Sequence, residues 1–182
     1  MRIIAGTMRG TKLSAPEGLN TRPTLDRVRE AIFSMLMPYL VDSDVLDLFA
    51  GSGAMGLEAL SRGANKSVFV DCDISAISCI NSNIKSCKLE DKSFVSKTDS
   101  VKFLSTCKDK FDIIFLDPPY FENIYESVLN VIYERELLSE QGIVVVEWDF
   151  ELGFIFDETK FELIKEKKYG RVGVTTLKRG NN

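Results

Sequence analysis

Asp47-Leu48-Phe49-Ala50-Gly51-Ser52-Gly53-Ala54-Met55-Gly56 grows out of the strand-like run Val45–Leu48 and leads into a helical pattern, Ala54–Arg62. A chain that passes from strand to helix in so few residues must turn sharply, and glycine meets that need because it has no Cβ to obstruct the turn or an approaching ligand. The helix that follows leaves its first N–H groups unpaired, facing whatever the loop holds. Gly51, Gly53 and Gly56 satisfy G-x-G-x-x-G, and Asp71 closes the second strand-like run twenty residues after Gly51. A dinucleotide-binding dehydrogenase shows the same two features, with the acid on the ribose hydroxyls.

Asp47 separates the alternatives. A carboxylate just before the glycines would stand close to a pyrophosphate, an unfavourable like-charge contact. It suits a ligand that carries a cation or an ammonium group, such as the methionine end of S-adenosylmethionine. Asp71, with Asp73 just beyond it, can accept hydrogen bonds from both hydroxyls of a ribose, and Asp99 after the third strand can accept one from an adenine amine. Asp73 and Asp99 also suit helix N-caps, since both precede helical patterns.

Outward from this loop the chain alternates. Strand-like runs at Val45–Leu48, Ser67–Val70, Phe94–Lys97, Phe111–Leu116 and Ile143–Glu147 are separated by helical patterns at Ala54–Arg62, Ile74–Ser86, Val101–Thr106 and Asn123–Arg135. That order predicts a parallel sheet covered by helices on both faces. Two further strands, Phe161–Tyr169 and Val172–Leu177, meet at Tyr169-Gly170-Arg171 with no room for a crossover helix, so a hairpin should add antiparallel strands at one edge. The expectation is an α/β, Rossmann-like fold with a mostly parallel seven-stranded sheet, a C-terminal antiparallel hairpin and a small N-terminal extension. The extension covers residues 1–40 and the sheet domain 41–182. Within the extension, Arg2–Ile4 and Thr11–Leu13 predict a small hairpin. Apolar Val28, Ala31, Ile32, Met35, Leu36 and Tyr39 then predict a helix from Leu25 to about Met37, with Arg27 and Arg29 on polar flanks.

The buried-strand pattern Phe111–Leu116 runs straight into Asp117-Pro118-Pro119-Tyr120. Two consecutive prolines fix φ and supply no N–H donors, which leaves a pocket rich in acceptors: the Asp117 carboxylate, a carbonyl near Pro118, and the face of Tyr120. A planar nucleobase amine matches it, the base stacked on the tyrosine and both N–H bonds held, so that the nitrogen lone pair faces an electrophilic methyl group. Asp117 can also stabilise the charge developing on the nitrogen and receive its proton.

Composition removes other classes. The chain has 182 residues, no histidine and four cysteines without a C-x-x-C pair, which leaves little to build a zinc site and excludes nucleophiles activated by imidazole. No metal is expected. The longest uncharged apolar stretch, Ala31–Val41, is short of a membrane span and no signal-peptide pattern opens the chain, so a cytoplasmic protein away from membranes is expected. Residues 1–40 carry six basic and three acidic side chains, and residues 160–182 seven and two, against ten and twenty-two in residues 41–159. An acidic body with two basic ends points to a face that binds a polyanion.

With both motifs in place, the chain resembles the class I S-adenosylmethionine-dependent methyltransferases. More narrowly it is similar to the bacterial RsmD family, which methylates the exocyclic amine of one guanine in small-subunit ribosomal RNA. The narrower likeness rests on Met1–Gly6, on Arg9-Gly10-x-Lys12-Leu13, on Arg22-Pro23-Thr24-Leu25-Asp26-Arg27-Val28-Arg29-Glu30-Ala31-Ile32-Phe33, on Asp47–Gly63 and on Asp117–Tyr120. It implies cofactor contacts at Asp47, Phe49, Ala50, Gly51 and Gly53, at Asp71 with Cys72 near the ribose, and at Asp99 with Ser100 near the adenine. It also implies that Asp117, Pro118, Pro119 and Tyr120 hold the target base, and that Arg9, Arg22, Arg27 and Arg29 face RNA. The implied partner is 16S rRNA in the small subunit or an assembly intermediate, met by a monomer. Rival readings are an adenine-N6 nucleic-acid methyltransferase, for which no target-recognition domain is left over, a dehydrogenase, and a non-catalytic RNA-binding assembly factor.

Overall fold

The computed structural model describes residues 1–16, 23–118 and 124–180, with the side chains of 23–25 left aside. Seven strands form one sheet in the order β3-β2-β1-β4-β5-β7-β6. They are β1 (Asp44–Asp47), β2 (Lys66–Asp71), β3 (Ser93–Lys97), β4 (Phe111–Leu116), β5 (Leu138–Asp149), β6 (Phe161–Tyr169) and β7 (Val172–Arg179). The first five are mutually parallel, while β7 runs antiparallel to both β5 and β6. The helices are α1 (Pro23–Leu40), α2 (Ala54–Ser61), α3 (Ile74–Cys87), α4 (Ser100–Thr106) and α5 (Ile124–Glu134). The sheet, its parallel core and its terminal hairpin are as the alternation predicted.

The continuous apolar runs of β1, β2, β4 and β5 reflect central strands buried on both faces. Because successive side chains point to opposite sides, Val45, Phe69, Ile113, Phe115 and Val145 enter one core with Phe33 of α1, Leu57 of α2 and Ile80 of α3. Leu46, Val68, Val70, Ile114 and Val144 enter the other, with Leu104 of α4 and Val128 and Ile132 of α5. The strand order reverses between β2-β1 and β4-β5, so the carboxyl ends of β1 and β4 part to leave the crevice where open α/β sheets bind ligands.

Two elements outrun their sequence patterns. Helix α1 continues beyond Met37 through Pro38 to Leu40, whose side chain is buried in the core shared with the sheet. Strand β5 starts at Leu138 rather than Ile143, the polar segment Ser139–Gly142 being taken up by a register shift between Phe111 and Ile113 of β4. Edge strand β6 is almost wholly exposed and carries alternating lysines and glutamates, a charged edge that resists pairing with another sheet.

The N-terminal extension shares a core with the sheet, through Ile3, Leu13, Val28, Ile32, Leu36 and Leu40. Its expected hairpin is present as an antiparallel bridge between Arg2 and Lys12. Glu58 of α2, fully buried, clamps it: the N–H groups of Ile4 and Ala5 donate to Glu58 at 2.7 and 3.0 Å, and Arg62 Nε donates at 2.8 Å.

Gly56 tests the packing beneath the glycine loop. A Cβ there would overlap the buried ring of Phe69 and the hydroxyl of Ser67, and both sit on β2 where little can give way. Gly56→Ala should therefore lower stability by roughly 1–3 kcal/mol despite the better helix propensity of alanine. A reduced denaturant midpoint checks it, and a midpoint equal to or above wild type would show that the ring moves aside.

Candidate active site

The parallel strands deliver acids to one edge of the sheet. Strand β1 ends in Asp47, β2 ends in Asp71, β4 runs directly into Asp117, and β5 carries Glu147 near its end. Between β1 and α2 the chain turns through Gly51 (φ 53°) and Gly53 (φ 75°), left-handed conformations that L side chains resist. Nothing lies within 4 Å of the position a Gly51 Cβ would take, so this backbone is bare towards the crevice. The loop is held from both sides. Ala50 N–H donates to the Val70 carbonyl at 3.0 Å, and Gly51 N–H donates to Asp71 Oδ2 at 2.9 Å.

Asp47 is 4% exposed, and its Oδ2 accepts from the Gly56 N–H at 3.0 Å. Burial pushes its carboxyl up to about 7; the Gly56 hydrogen bond opposes that rise, while Asp117 and Asp71 add to it. Among the described residues no cation pairs with this buried acid, an arrangement that a positively charged ligand would relieve. Asp71 has a structural duty as well, since its Oδ1 accepts from the Asp73 N–H at 2.9 Å. Asp73 and Asp99 are the N-caps of α3 and α4, accepting from the N–H groups of Ser75 and Ala76 and of Lys102.

A cavity of about 200 Å³ opens at the crevice, walled by Asp47, Phe49, Ala50, Gly51, Ser52, Asp117 and Glu147, with Met1, Pro16 and Arg29 on its N-terminal side. Asp117 is exposed towards the cavity, yet the protein around it still shields it from bulk water and raises its carboxyl above the usual range. Glu147 is raised well above its ordinary value by burial first, then by Asp117 and Asp47, with Arg29 opposing. The structure thus brings Asp47, Phe49, Ala50, Gly51 and Asp117 to one cavity. Asp71, Cys72, Asp99 and Ser100 lie at the ends of β2 and β3, along the same sheet edge but outside this wall. Pro118 is buried behind Asp117, and Pro119, Tyr120 and Arg22 lie outside the described residues. Among the described residues no group of acids and cysteines could hold a metal ion, and no helix is long and apolar enough to cross a membrane.

Arg29 departs from its expected place on a polar flank facing RNA. It is 5% exposed, donating to the Arg2 carbonyl at 2.6 Å and to Asp26 at 3.0 Å. Its position in the helix turns it inward, where the buried Glu58 lies 3.9 Å from its Nε. Arg9 and Arg27 are exposed and, with Arg2, line a separate hollow of about 330 Å³ between the hairpin and α1. Glu147 was missed by sequence reasoning, although a signal existed: it stands near the end of a parallel strand, as Asp47, Asp71 and Asp117 do.

A family model described as conserved hypothetical protein 95 matches residues 1–178. The chain belongs to this family, the RsmD family. YlbH of Bacillus subtilis (strain 168) is 41% identical over 98% of this chain and 99% of that protein. Proteins named ribosomal RNA small subunit methyltransferase D are similar too. The one from Haemophilus influenzae is 38% identical over 94% of this chain and 90% of its own length, and the one from Escherichia coli K12 is 35% identical over 98% and 90%. The solved structure of yhhF from Escherichia coli superposes with a TM-score of 0.89 at 36% identity, covering 98% of this chain and 97% of that one. The RsmD family fold therefore extends over the N-terminal extension as well as the sheet.

Proposed function

We propose that this protein transfers a methyl group from S-adenosylmethionine to the exocyclic N2 amine of a guanine in small-subunit (16S) ribosomal RNA. The observation that carries this reading is the single cavity onto which a buried, cation-seeking Asp47 and the strand-end Asp117 both open. The names borne by the relatives support the RNA substrate and the small subunit as its context.

The residues present fit the cofactor. Asp47 would face its ammonium group, the bare backbone at Gly51 would lie along it, and Asp71 would take the ribose. Asp99 and Ser100 would lie at the adenine. S-adenosylmethionine supplies an electrophilic methyl group carried on a sulfonium. Asp117 accepts a hydrogen bond from the target amine, orients its lone pair and takes the proton released once nitrogen is methylated. A raised carboxyl is suited to that last task, because its affinity for a proton is already close to what neutral pH requires. Phe49 and the apolar wall limit water around the reacting nitrogen.

Asp71→Asn should weaken binding of S-adenosylhomocysteine about tenfold, as a charge-assisted hydrogen bond is worth about 1.5 kcal/mol or more. The amide can moreover accept from only one of the Gly51 and Asp73 N–H groups that Asp71 now satisfies. Calorimetry checks this, and unchanged affinity would place the ribose elsewhere.

The whole reading is tested by incubating the protein and labelled S-adenosylmethionine with small ribosomal subunits from cells lacking this activity, then identifying the product nucleoside by mass spectrometry. N2-methylguanosine is the expected product. Cofactor binding without methyl transfer to any base would refute the reading and favour a non-catalytic assembly factor.

A further inference from the structure

The proposed chemistry uses Asp47 and Asp117 and leaves two other ionisable side chains of the cavity without a task, Glu147 and Arg29. Leu116 pairs with Val146 across parallel β4 and β5, so Asp117 and Glu147 leave the sheet side by side at the same edge. The Glu147 side chain has no hydrogen bond or ion pair among the described residues, although its backbone carbonyl accepts from the Tyr125 hydroxyl at 2.9 Å. Arg29 is nineteen-twentieths buried, its short hydrogen bonds are both made by Nη2, and its Nε has no hydrogen-bond partner. Glu147 feels the charges of both Asp117 and Arg29, whereas the charged neighbours of Arg29 are Asp26, Glu58, Glu147 and Arg62. One cavity is thus lined by two neighbouring acceptors, Asp117 and Glu147, set side by side by the β4–β5 register, and by a donor, Arg29, on its N-terminal side.

Guanine presents the complementary series along its Watson–Crick edge: the 2-amino donor, the N1–H donor and the O6 acceptor. A base taken out of its stack into an enzyme cavity is read along that edge. We infer that Glu147 selects guanine by accepting a hydrogen bond from its ring N1–H, with Asp117 on the 2-amino group and the Arg29 guanidinium on O6. This rests on the guanine-N2 reading above and adds to it the residue that tells guanine from other bases bearing an amine. It also gives Arg29, held at Nη2 by the Arg2 carbonyl and Asp26, a task in the cavity it lines.

The probe is 2-aminopurine, which keeps the 2-amino group but has neither N1–H nor O6. Whether Glu147 is ionised or neutral, this base loses two hydrogen bonds in the cavity and regains at most one. The experiment places 2-aminopurine at the methylated position of small-subunit RNA, assembled from synthetic and transcribed fragments, and compares kcat/KM with the guanine RNA. Wild type should prefer guanine at least about tenfold, the discrimination expected of a good base-edge contact. Glu147→Ala should slow guanine more than 2-aminopurine and make that preference about fivefold smaller. Glu147→Gln, whose amide oxygen still accepts from N1–H, should restore most of it. S-adenosylhomocysteine affinity and thermal melting, followed in parallel, should stay near wild type in both variants. A wild-type enzyme that methylates both RNAs equally well, or an alanine variant that slows both by the same factor, would overturn the inference and leave the methyltransferase reading standing. Failure of wild type on the guanine RNA would overturn both.

Discussion

An Asp117→Ala variant is expected to transfer methyl groups about 10²- to 10⁴-fold more slowly than wild type, the usual contribution of a positioned general acid or base. It should still bind S-adenosylhomocysteine and unfold at nearly the wild-type temperature. Asp117 leaves the end of β4, lines the cavity and is exposed, so its removal opens no hole in the core. What disappears is the acceptor that holds the target amine and the base that takes its proton. The check is single-turnover methylation of small subunits alongside calorimetric titration with S-adenosylhomocysteine. Transfer at the normal rate would end the assignment of Asp117 as a catalytic residue, whatever the fate of the cofactor site.

The second large effect concerns pH. Asp47 holds its proton up to about 7 in the free protein, chiefly because it is buried. A cationic ligand binds better to the ionised carboxylate, so binding lowers the pKa of Asp47 and the affinity must depend on pH by linkage. Above about 7 Asp47 is already ionised and affinity is at its ceiling. As pH falls below 7 a proton must be displaced for each ligand bound, and affinity drops up to tenfold per pH unit, roughly a hundredfold by pH 5. On the alkaline side the α-amino group of the cofactor loses its charge near 8 and affinity falls again, leaving a maximum between about 7 and 8. Asp47→Asn should bind more weakly at pH 7.5 and lose the acid limb of the profile. An acid limb that persists in the variant would assign the titration to the neighbouring Asp117 or Glu147 instead.

Much of this protein is legible in its sequence, and the reasons are short-range ones. Both faces of the central strands are buried, so these strands are written as continuous apolar runs, and the turns between them carry Gly, Pro and Asp where the backbone requires them. The glycine loop, the acid before it, the acid ending β2 and the Asp117-Pro118 step are all set by neighbours in sequence, and each falls at the carboxyl end of a strand as the alternation implies. The hairpin at Gly170 is equally local, because two residues cannot hold a crossover helix. The length of β5 was less legible, since its polar beginning is tolerated only by a register shift against β4, a property of the pair of strands.

Three facts belonged to the tertiary structure alone. Arg29 sits beside Arg27 on the same helix, and nothing in their spacing says that one reaches solvent and the other is buried; the difference comes from what packs against the helix, the Arg2 carbonyl that Arg29 reaches at 2.6 Å and the buried Glu58, twenty-nine residues away, 3.9 Å from its Nε. The proton affinity of Asp47 is likewise invisible in sequence, because it depends on how much water the packed loop excludes and on Asp117 and Asp71 arriving from other strands. Glu147 is an ordinary acid near the end of an ordinary strand until the sheet order sets β5 beside β4. A sequence determines strands, turns and the residue types they carry through interactions a few residues long. Which side chains share one cavity, and at what charge, is decided by contacts between segments seventy or a hundred residues apart, which exist only once the sheet has closed.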